Sequence, residues 1–204
     1  MAELMSLLGG GSNDLYMEVI KENLDNRVLV FNDEVNDAVI EDYILHIIKW
    51  NREDQNIPVE HRRKIKLYIN SPGGECINGF NMVNVIMAST TPIIGVCFGL
   101  AASMGYHIFL SCHERVAFQD SVLLQHDGEI AIQNSTSKAK DTMRFFDNME
   151  KRTKDYVLSR TTMTEEFYDK HYDQEYYMYA NEQGKELGCV HKIIGEDCGL
   201  DYIF

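Results

Sequence analysis

Ser103 lies where an apolar strand meets an apolar helix, within the stretch GLAASMG at residues 99–105. A side chain at such a junction lies near the free backbone N–H groups and the positive end of the helix dipole, which stabilise negative charge. The small neighbouring residues leave room for a substrate backbone. The arrangement follows the logic of a nucleophile elbow, although the string is not GxSxG. The pattern indicates a nucleophilic serine, and a serine that only caps the helix is the alternative.

A second turn of small residues, SPGG at 71–74, follows the apolar strand predicted at 65–69. Two consecutive glycines allow backbone N–H groups to face a cavity without a steric cost. Such N–H groups can stabilise the negative charge that develops on a carbonyl oxygen during acyl transfer. A plain tight turn explains the same residues, so this string alone does not decide between the two interpretations.

A nucleophilic serine needs a base, and the chain has seven histidines. His126 ends the apolar stretch SVLLQH at 121–126, a place where a side chain can emerge into a cleft. His107 is one helical turn past Ser103, and we expect it in the core or on the surface. The other candidates are His46, His61, His113, His171 and His191. Spacing selects neither the base nor the acid, because triad members meet in space and not in sequence.

Strand and helix signals alternate from Arg27 onwards, which favours an α/β fold. The predicted strands are 27–31, 65–69, 92–98, 115–118, 121–126 and 189–194. Helical spacing predicts helices near 35–48, 77–86, 103–111, 136–160, 164–170 and 181–187. We expect one domain over residues 25–204, preceded by a flexible arm over residues 1–24 that contains a run of three glycines. The arm is either a disordered terminus or a gating or docking loop.

Composition limits the classes of function. The net charge of −13 argues against nonspecific binding to nucleic acid, because phosphate repels an acidic chain. Five scattered cysteines without metal spacing favour neither a disulfide framework nor a zinc site, and they suit a reducing cytoplasm. We expect no secretory leader and no membrane-spanning segment, since no apolar run approaches the roughly 20 residues required. The chain also lacks a GxxxxGK[ST] phosphate loop, which argues against ATP use.

Taken together, these motifs resemble the ClpP family, the proteolytic subunits of Clp protease. The matching strings are LYINSPGG at 67–74, TPIIGVCFGLAASMG at 91–105, VLLQH at 122–126 and YYMYANEQGKELGCV at 176–190. They occur in the family's order and span about residues 27–194. The resemblance implies a divergent member with a spiral of β–β–α units, the α/β fold shared with crotonases. It also implies a protruding handle helix at about 136–160.

The resemblance implies a serine endopeptidase that works through an acyl-enzyme, with no metal or organic cofactor. The family's nucleophile corresponds to Ser103 and its base to His126. Its two oxyanion-binding N–H groups correspond to those of Gly74 and Met104. A dipeptide Asp127-Gly128 follows the base where the family usually has Gln-Pro, so the preference for peptides is expected to differ.

The acid of the family is an aspartate in a string like Asp-Arg-Asp, and here the string is Asp173-Gln174-Glu175. Glu175 occupies the acid's place, and glutamate serves in some triads. Asp173 is the reserve candidate for the acid. Both could instead be solvated surface acids. In the family, the arginine of this string helps to join two stacked rings. Because Gln174 takes its place here, the resemblance does not predict whether two rings pair.

The implied assembly is a homo-oligomer, a heptameric ring in the cytoplasm that encloses a chamber for unfolded polypeptides. A separate AAA+ unfoldase would use ATP to feed unfolded polypeptides into this chamber. Two other functions stay open at this stage. A catalytically silent ring or scaffold component is favoured by the changed acid and opposed by the intact Ser103 and His126. A crotonase-type acyl-CoA enzyme on the same fold would need no serine–histidine pair.

Overall fold

The computed structural model describes residues 12–204. The strands are β1 Val28–Phe31, β2 Ile65–Ser71, β3 Ile93–Ala102, β4 Glu114–Phe118, β5 Val122–Gln125, β6 Tyr176–Tyr179 and β7 Lys192–Ile194. The helices are α1 Ser12–Asp25, α2 Leu45–Glu53, α3 Cys76–Ala88, α4 Met104–Ser111, α5 Thr136–Arg160 and α6 Glu165–His171. Shorter helical turns cover Ile40–Ile44, Val59–His61, Ala180–Gly184 and Leu200–Ile203.

The sheet is mostly parallel, with strand order β1-β2-β3-β4-β7. Strand β3 is long enough to have two different partners on successive parts of its length. Residues 94–97 of β3 pair with β4, and residues 100–102 pair with β5. Strand β6 then pairs with β5 in the antiparallel direction. This division of the sheet places the end of β3 beside the end of β5, and so brings residue 103 close to residue 126.

The core explains why the central strands read as nearly continuous apolar runs. In β3, all five residues from Ile93 to Cys97 are buried, as expected for a parallel strand that is covered on both faces. Helix α4 is buried along its whole length, from Met104 to Ser111. Because α4 cannot move without disturbing this core, the residue at its start has a fixed position.

A buried arginine ties the C-terminal end of α5 to the rest of the domain. Arg115 is 4% exposed, and its guanidinium donates to the carbonyls of Cys189 and Gly188, both at 2.8 Å. It also donates to the carbonyl of Arg160, the last residue of α5, at 2.9 Å. Arg160 in turn donates to the carbonyl of Leu110 in α4 at 2.9 Å. These bonds fix α5 relative to α4.

The α/β class and the alternation of elements predicted from the sequence are confirmed, and α5 has the bounds predicted for the long helix. Several features differ. The helix predicted at 181–187 is a short turn at Ala180–Gly184, and the strand predicted at 189–194 covers only Lys192–Ile194. Residues 12–25 form α1, where the sequence predicted the second half of an arm over 1–24, and residues 1–11 lie outside the described part. Strand β3 continues through Ala102, four residues beyond the predicted end. Strand β6 was not predicted.

Two of these differences, α1 and β6, have a physical reason in the burial and length of the elements. The apolar side chains of α1, such as Leu15 and Met17, are exposed, so α1 lacks the one-sided burial that gives a helix a clear sequence pattern. Strand β6 has only four residues, all aromatic or Met, which a helix could bury equally well. Among residues 12–204, no helix combines the length and the apolar character that crossing a bilayer requires.

Candidate active site

Ser103 has a backbone conformation that few residues other than glycine adopt. It lies between β3 and α4 with φ 52° and ψ −123°. Backbone strain of this kind costs about 1–3 kcal/mol and persists only where the surroundings impose it. Here the Ser103 N–H donates to the Leu124 carbonyl of β5 at 3.0 Å, and the His107 N–H of α4 donates to the Ser103 carbonyl at 3.2 Å. A strained serine in a strand-to-helix turn is the backbone feature of a nucleophile elbow.

Gly73, in the turn after β2, packs directly against the Ser103 turn. A Cβ atom at this position would lie 2.6 Å from the Cβ of Ser103 and 2.8 Å from the carbonyl oxygen of Ala102. Gly73 also has φ +99°. Space and backbone both require glycine. The family resemblance predicted that SPGG lies beside Ser103, and Gly73 itself was not among the predicted site residues.

Two backbone N–H groups beside this contact have no hydrogen-bond partner among residues 12–204. The N–H of Gly74 is one of them, although its neighbours Gly73 and Glu75 both donate, to Ser71 Oγ and to the Val35 carbonyl. The N–H of Met104, the first residue of α4, is the other, as is usual at a helix start. Such free donors can stabilise a developing oxyanion.

His126 follows β5 directly, and the pairing of β5 with β3 sets its position. Ala102 lies opposite Leu124 in the register, so both chains leave the sheet at almost the same level. The side chains of Ser103 and His126 line the same small cavity of about 70 Å³. The His126 side chain is 24% exposed, so it is reachable from the solvent while most of the ring is covered.

Glu175 is the carboxylate that contacts His126. Its Oε1 lies 3.2 Å from Nδ1 of His126, and its Oε2 accepts a hydrogen bond from the Tyr177 hydroxyl at 3.1 Å. Strand β6 brings Glu175 there, because Gln125 pairs with Tyr176. Asp173 makes no ion pair with His126 in the described part of the chain. The Glu175 side chain is 58% exposed, which leaves the pair open to competition from water.

His107 also lines the cavity, a feature that the sequence analysis did not predict. The residue is 7% exposed, and Nδ1 has no hydrogen-bond partner among the described residues. Burial lowers the pKa of His107 to about 4, with a smaller contribution from nearby His126. His107 is therefore neutral at neutral pH. The sequence feature that could have predicted this position is the spacing of one helical turn between Ser103 and His107.

Much of the remaining cavity wall comes from elements that were not predicted to lie beside Ser103. Helix α5 contributes Phe146, Met149 and Glu150, and the segment after β5 contributes residues 127–130. Tyr168 and Tyr172, in α6 and just after it, complete this side. The cavity therefore lies between the sheet end that carries Ser103 and the middle of α5.

Comparison with known proteins shows which family has this arrangement. A family model described as Clp protease matches residues 11–197. The chain is 25% identical over 189 residues to ATP-dependent Clp protease proteolytic subunit 1 of Bacillus cereus, with 92% of each chain covered. It is 25% identical over 194 residues to proteolytic subunit 3 of Synechococcus sp., again with 92% of each covered. It is 26% identical over 194 residues to proteolytic subunit 2 of Prochlorococcus marinus, with 92% of this chain and 90% of that protein covered.

The family match covers nearly the whole described chain, and the identity to each of these relatives is low. The fold is the mixed α/β arrangement that the resemblance implied. The chain therefore belongs to the Clp protease family of peptidases, as a divergent member.

Proposed function

We propose that the chain is a serine endopeptidase with Ser103 as nucleophile, His126 as general base and Glu175 as the acid that orients His126. Ser103 Oγ attacks the carbonyl carbon of a peptide bond while His126 takes its proton. The same proton then passes to the leaving amine, and the acyl group stays on Ser103. Water then attacks the acyl carbon while His126 takes a proton from it. The bond to Ser103 Oγ breaks, the new carboxyl group leaves, and His126 returns the proton to Ser103 Oγ.

The observation that carries this proposal is the strained Ser103 turn, which shares one cavity with His126, the residue that Glu175 contacts. The N–H groups of Gly74 and Met104 would hold the oxyanion of the tetrahedral intermediate. Both N–H groups belong to backbone that tight packing holds in place, so little reorganisation is needed when charge develops. No metal or organic cofactor takes part in these steps.

The proposed assembly is a homo-oligomeric, seven-fold ring in the cytoplasm, fed with unfolded polypeptides by a separate ATP-dependent AAA+ unfoldase. The relatives are named as proteolytic subunits of an ATP-dependent protease, which supports a partner that hydrolyses ATP. Exposed apolar side chains on α5, Met143 and Phe145, are suited to contacts between subunits. Whether two rings stack depends on contacts near Gln174, where the family's arginine is missing.

A catalytically silent ring or scaffold component is the second candidate function. The exposure of Glu175 favours it, because a solvent-exposed carboxylate holds an imidazole weakly. The strained conformation of Ser103 opposes it, since strain is not retained for packing alone. A crotonase-type acyl-CoA enzyme would leave the His126–Glu175 pair without a use.

A fluorophosphonate probe tests the proposal, because it reacts covalently with an activated serine hydroxyl. We expect the folded protein to be labelled and the label to map by mass spectrometry to the peptide that contains Ser103. Native mass and hydrolysis of a fluorogenic peptide, measured on the same sample, test the assembly. Folded protein in rings that is neither labelled nor active would favour the scaffold function. A monomer that cleaves peptides would contradict the assembly.

Replacement of Glu175 by glutamine should lower kcat for peptide hydrolysis by about 10-fold, less than the roughly 10⁴-fold loss when a buried triad acid is replaced. The effect is smaller because water can partly replace this exposed carboxylate. The variant Asp173→Asn is the matched comparison, one carboxylate lost two residues away, and its kcat should stay within about 2-fold of wild type. A large loss in Asp173→Asn with none in Glu175→Gln would assign the acid to Asp173 instead.

A further inference from the structure

The cavity beside Ser103 is apolar along its sides. Phe80 of α3 and Phe146 and Met149 of α5 line it, together with Cys76 at the start of α3. A linear aliphatic chain would pack against such walls and remove apolar surface from water. The sides therefore accept the stem of a long side chain, whatever group that side chain carries at its end.

The cavity also carries three carboxylates and, among residues 12–204, no lysine or arginine. Asp127 and Glu129 contribute from the segment after β5, and Glu150 contributes from α5. His107 adds no positive charge, because burial lowers its pKa to about 4. The potential in the cavity is therefore negative at neutral pH, which attracts a cation and repels an acidic side chain.

Two buried polar groups in this cavity lack a partner, which indicates that a polar group of a ligand completes the site. Among the described residues, the Tyr172 hydroxyl and Nδ1 of His107 are buried without a hydrogen bond, and His107 is 7% exposed as a whole. Burial raises the pKa of Tyr172 most, and the next largest cause is the interaction of its hydroxyl with the Glu150 carboxylate, which lies nearby without the geometry of a full hydrogen bond. Glu150 is therefore the carboxylate nearest in effect to that hydroxyl. Buried polar atoms without partners are costly and uncommon in native proteins.

We propose that this cavity binds the side chain of a lysine or arginine at the residue whose carbonyl Ser103 attacks, so that the enzyme cleaves after basic residues. This inference rests on the proposed peptidase function and names its substrate class. The stem would lie against Phe146 and Met149 while the cationic head meets Glu150 and Asp127, as long basic side chains generally arrange themselves. The Tyr172 hydroxyl can accept a hydrogen bond from the head.

The experiment compares fluorogenic peptides that differ only at this residue, which is arginine, leucine or glutamate. We expect kcat/KM to decrease in that order, with arginine preferred over leucine by about 10-fold, which corresponds to about 1.4 kcal/mol. The variant Glu150→Gln should lower kcat/KM for the arginine peptide about 5-fold and leave the leucine peptide within about 2-fold, because only the cation loses a partner. The arginine preference should also fall with added salt.

Asp147→Asn is the matched control, since Asp147 is an exposed carboxylate of the same helix that lies outside this cavity. This variant should leave kcat/KM unchanged for both the arginine peptide and the leucine peptide. If the leucine peptide is cleaved as well as the arginine peptide, and Glu150→Gln does not alter the ratio of their kcat/KM values, the inference is overturned while the peptidase function stands. Failure of every peptide together with no fluorophosphonate labelling would instead overturn the peptidase function itself.

Discussion

Replacing Ser103 by alanine is expected to reduce peptide hydrolysis by about 10⁴-fold or more and to abolish labelling by a fluorophosphonate. The change removes the only atom that can carry the acyl group in the proposed mechanism. The oxyanion-binding N–H groups and the His126–Glu175 pair would remain, so a small residual rate over water is expected. The backbone at residue 103 keeps a positive φ that alanine tolerates about as poorly as serine does, so the fold should be retained.

Ser159→Ala is the control for this prediction. Ser159 lies near the end of α5, is exposed, and donates its hydroxyl hydrogen bond to the Tyr156 carbonyl at 2.7 Å. Loss of that bond should leave activity and labelling unchanged. Circular dichroism and native mass would show that Ser103→Ala still folds and assembles. Activity above about one hundredth of wild type in a folded Ser103→Ala sample would contradict the assignment of the nucleophile.

Gly73→Ala is expected to lower kcat/KM by about 10²-fold to 10³-fold, the size of effect seen when an oxyanion donor is lost or a catalytic group is displaced by about 1 Å. The added Cβ would lie 2.6 Å from Ser103 Cβ and 3.0 Å from Met104 N, so the proposed nucleophile and the proposed oxyanion donor must both shift. Neither can shift easily, because α4 is buried along its length. The free energy of unfolding should also fall, since alanine is strained at φ +99°.

Gly199→Ala is the matched glycine control. A Cβ at Gly199 meets only the end of the Asp201 side chain, which is exposed and can move away. This variant should keep wild-type activity and a nearly unchanged midpoint in urea. For Gly73→Ala, kcat/KM is measured under conditions where urea titration shows the variant to be folded. A folded Gly73→Ala enzyme with wild-type kcat/KM would show that the contact with Ser103 has no part in catalysis.

The features that could be predicted from the sequence are those that local rules determine. The 25 residues of α5 show helical spacing within their own segment, and the structure has the bounds expected from it. The junction of an apolar strand with an apolar helix at Ser103 is likewise visible in a dozen residues. Backbone geometry and burial periodicity operate over one or two turns, so such elements need no knowledge of distant residues.

The sequence alone does not decide which carboxylate contacts His126. Asp173 and Glu175 are two residues apart, and both precede an aromatic stretch that has no clear strand signal. Only the antiparallel pairing of β6 with β5 places Glu175 next to His126. A different register would bring another residue to the same place, and register depends on how both strands pack against the core.

The sequence by itself determined the α/β class, the long helix and the two small-residue turns, because each depends on residues that are neighbours in the chain. The tertiary structure decided that Gly73 lies against Ser103, that Glu175 meets His126, and that Glu150 and Tyr172 share a cavity with Ser103. These contacts join residues that are about 30 to 70 positions apart. The free energy of such contacts depends on the packing of the whole core, which no local pattern specifies.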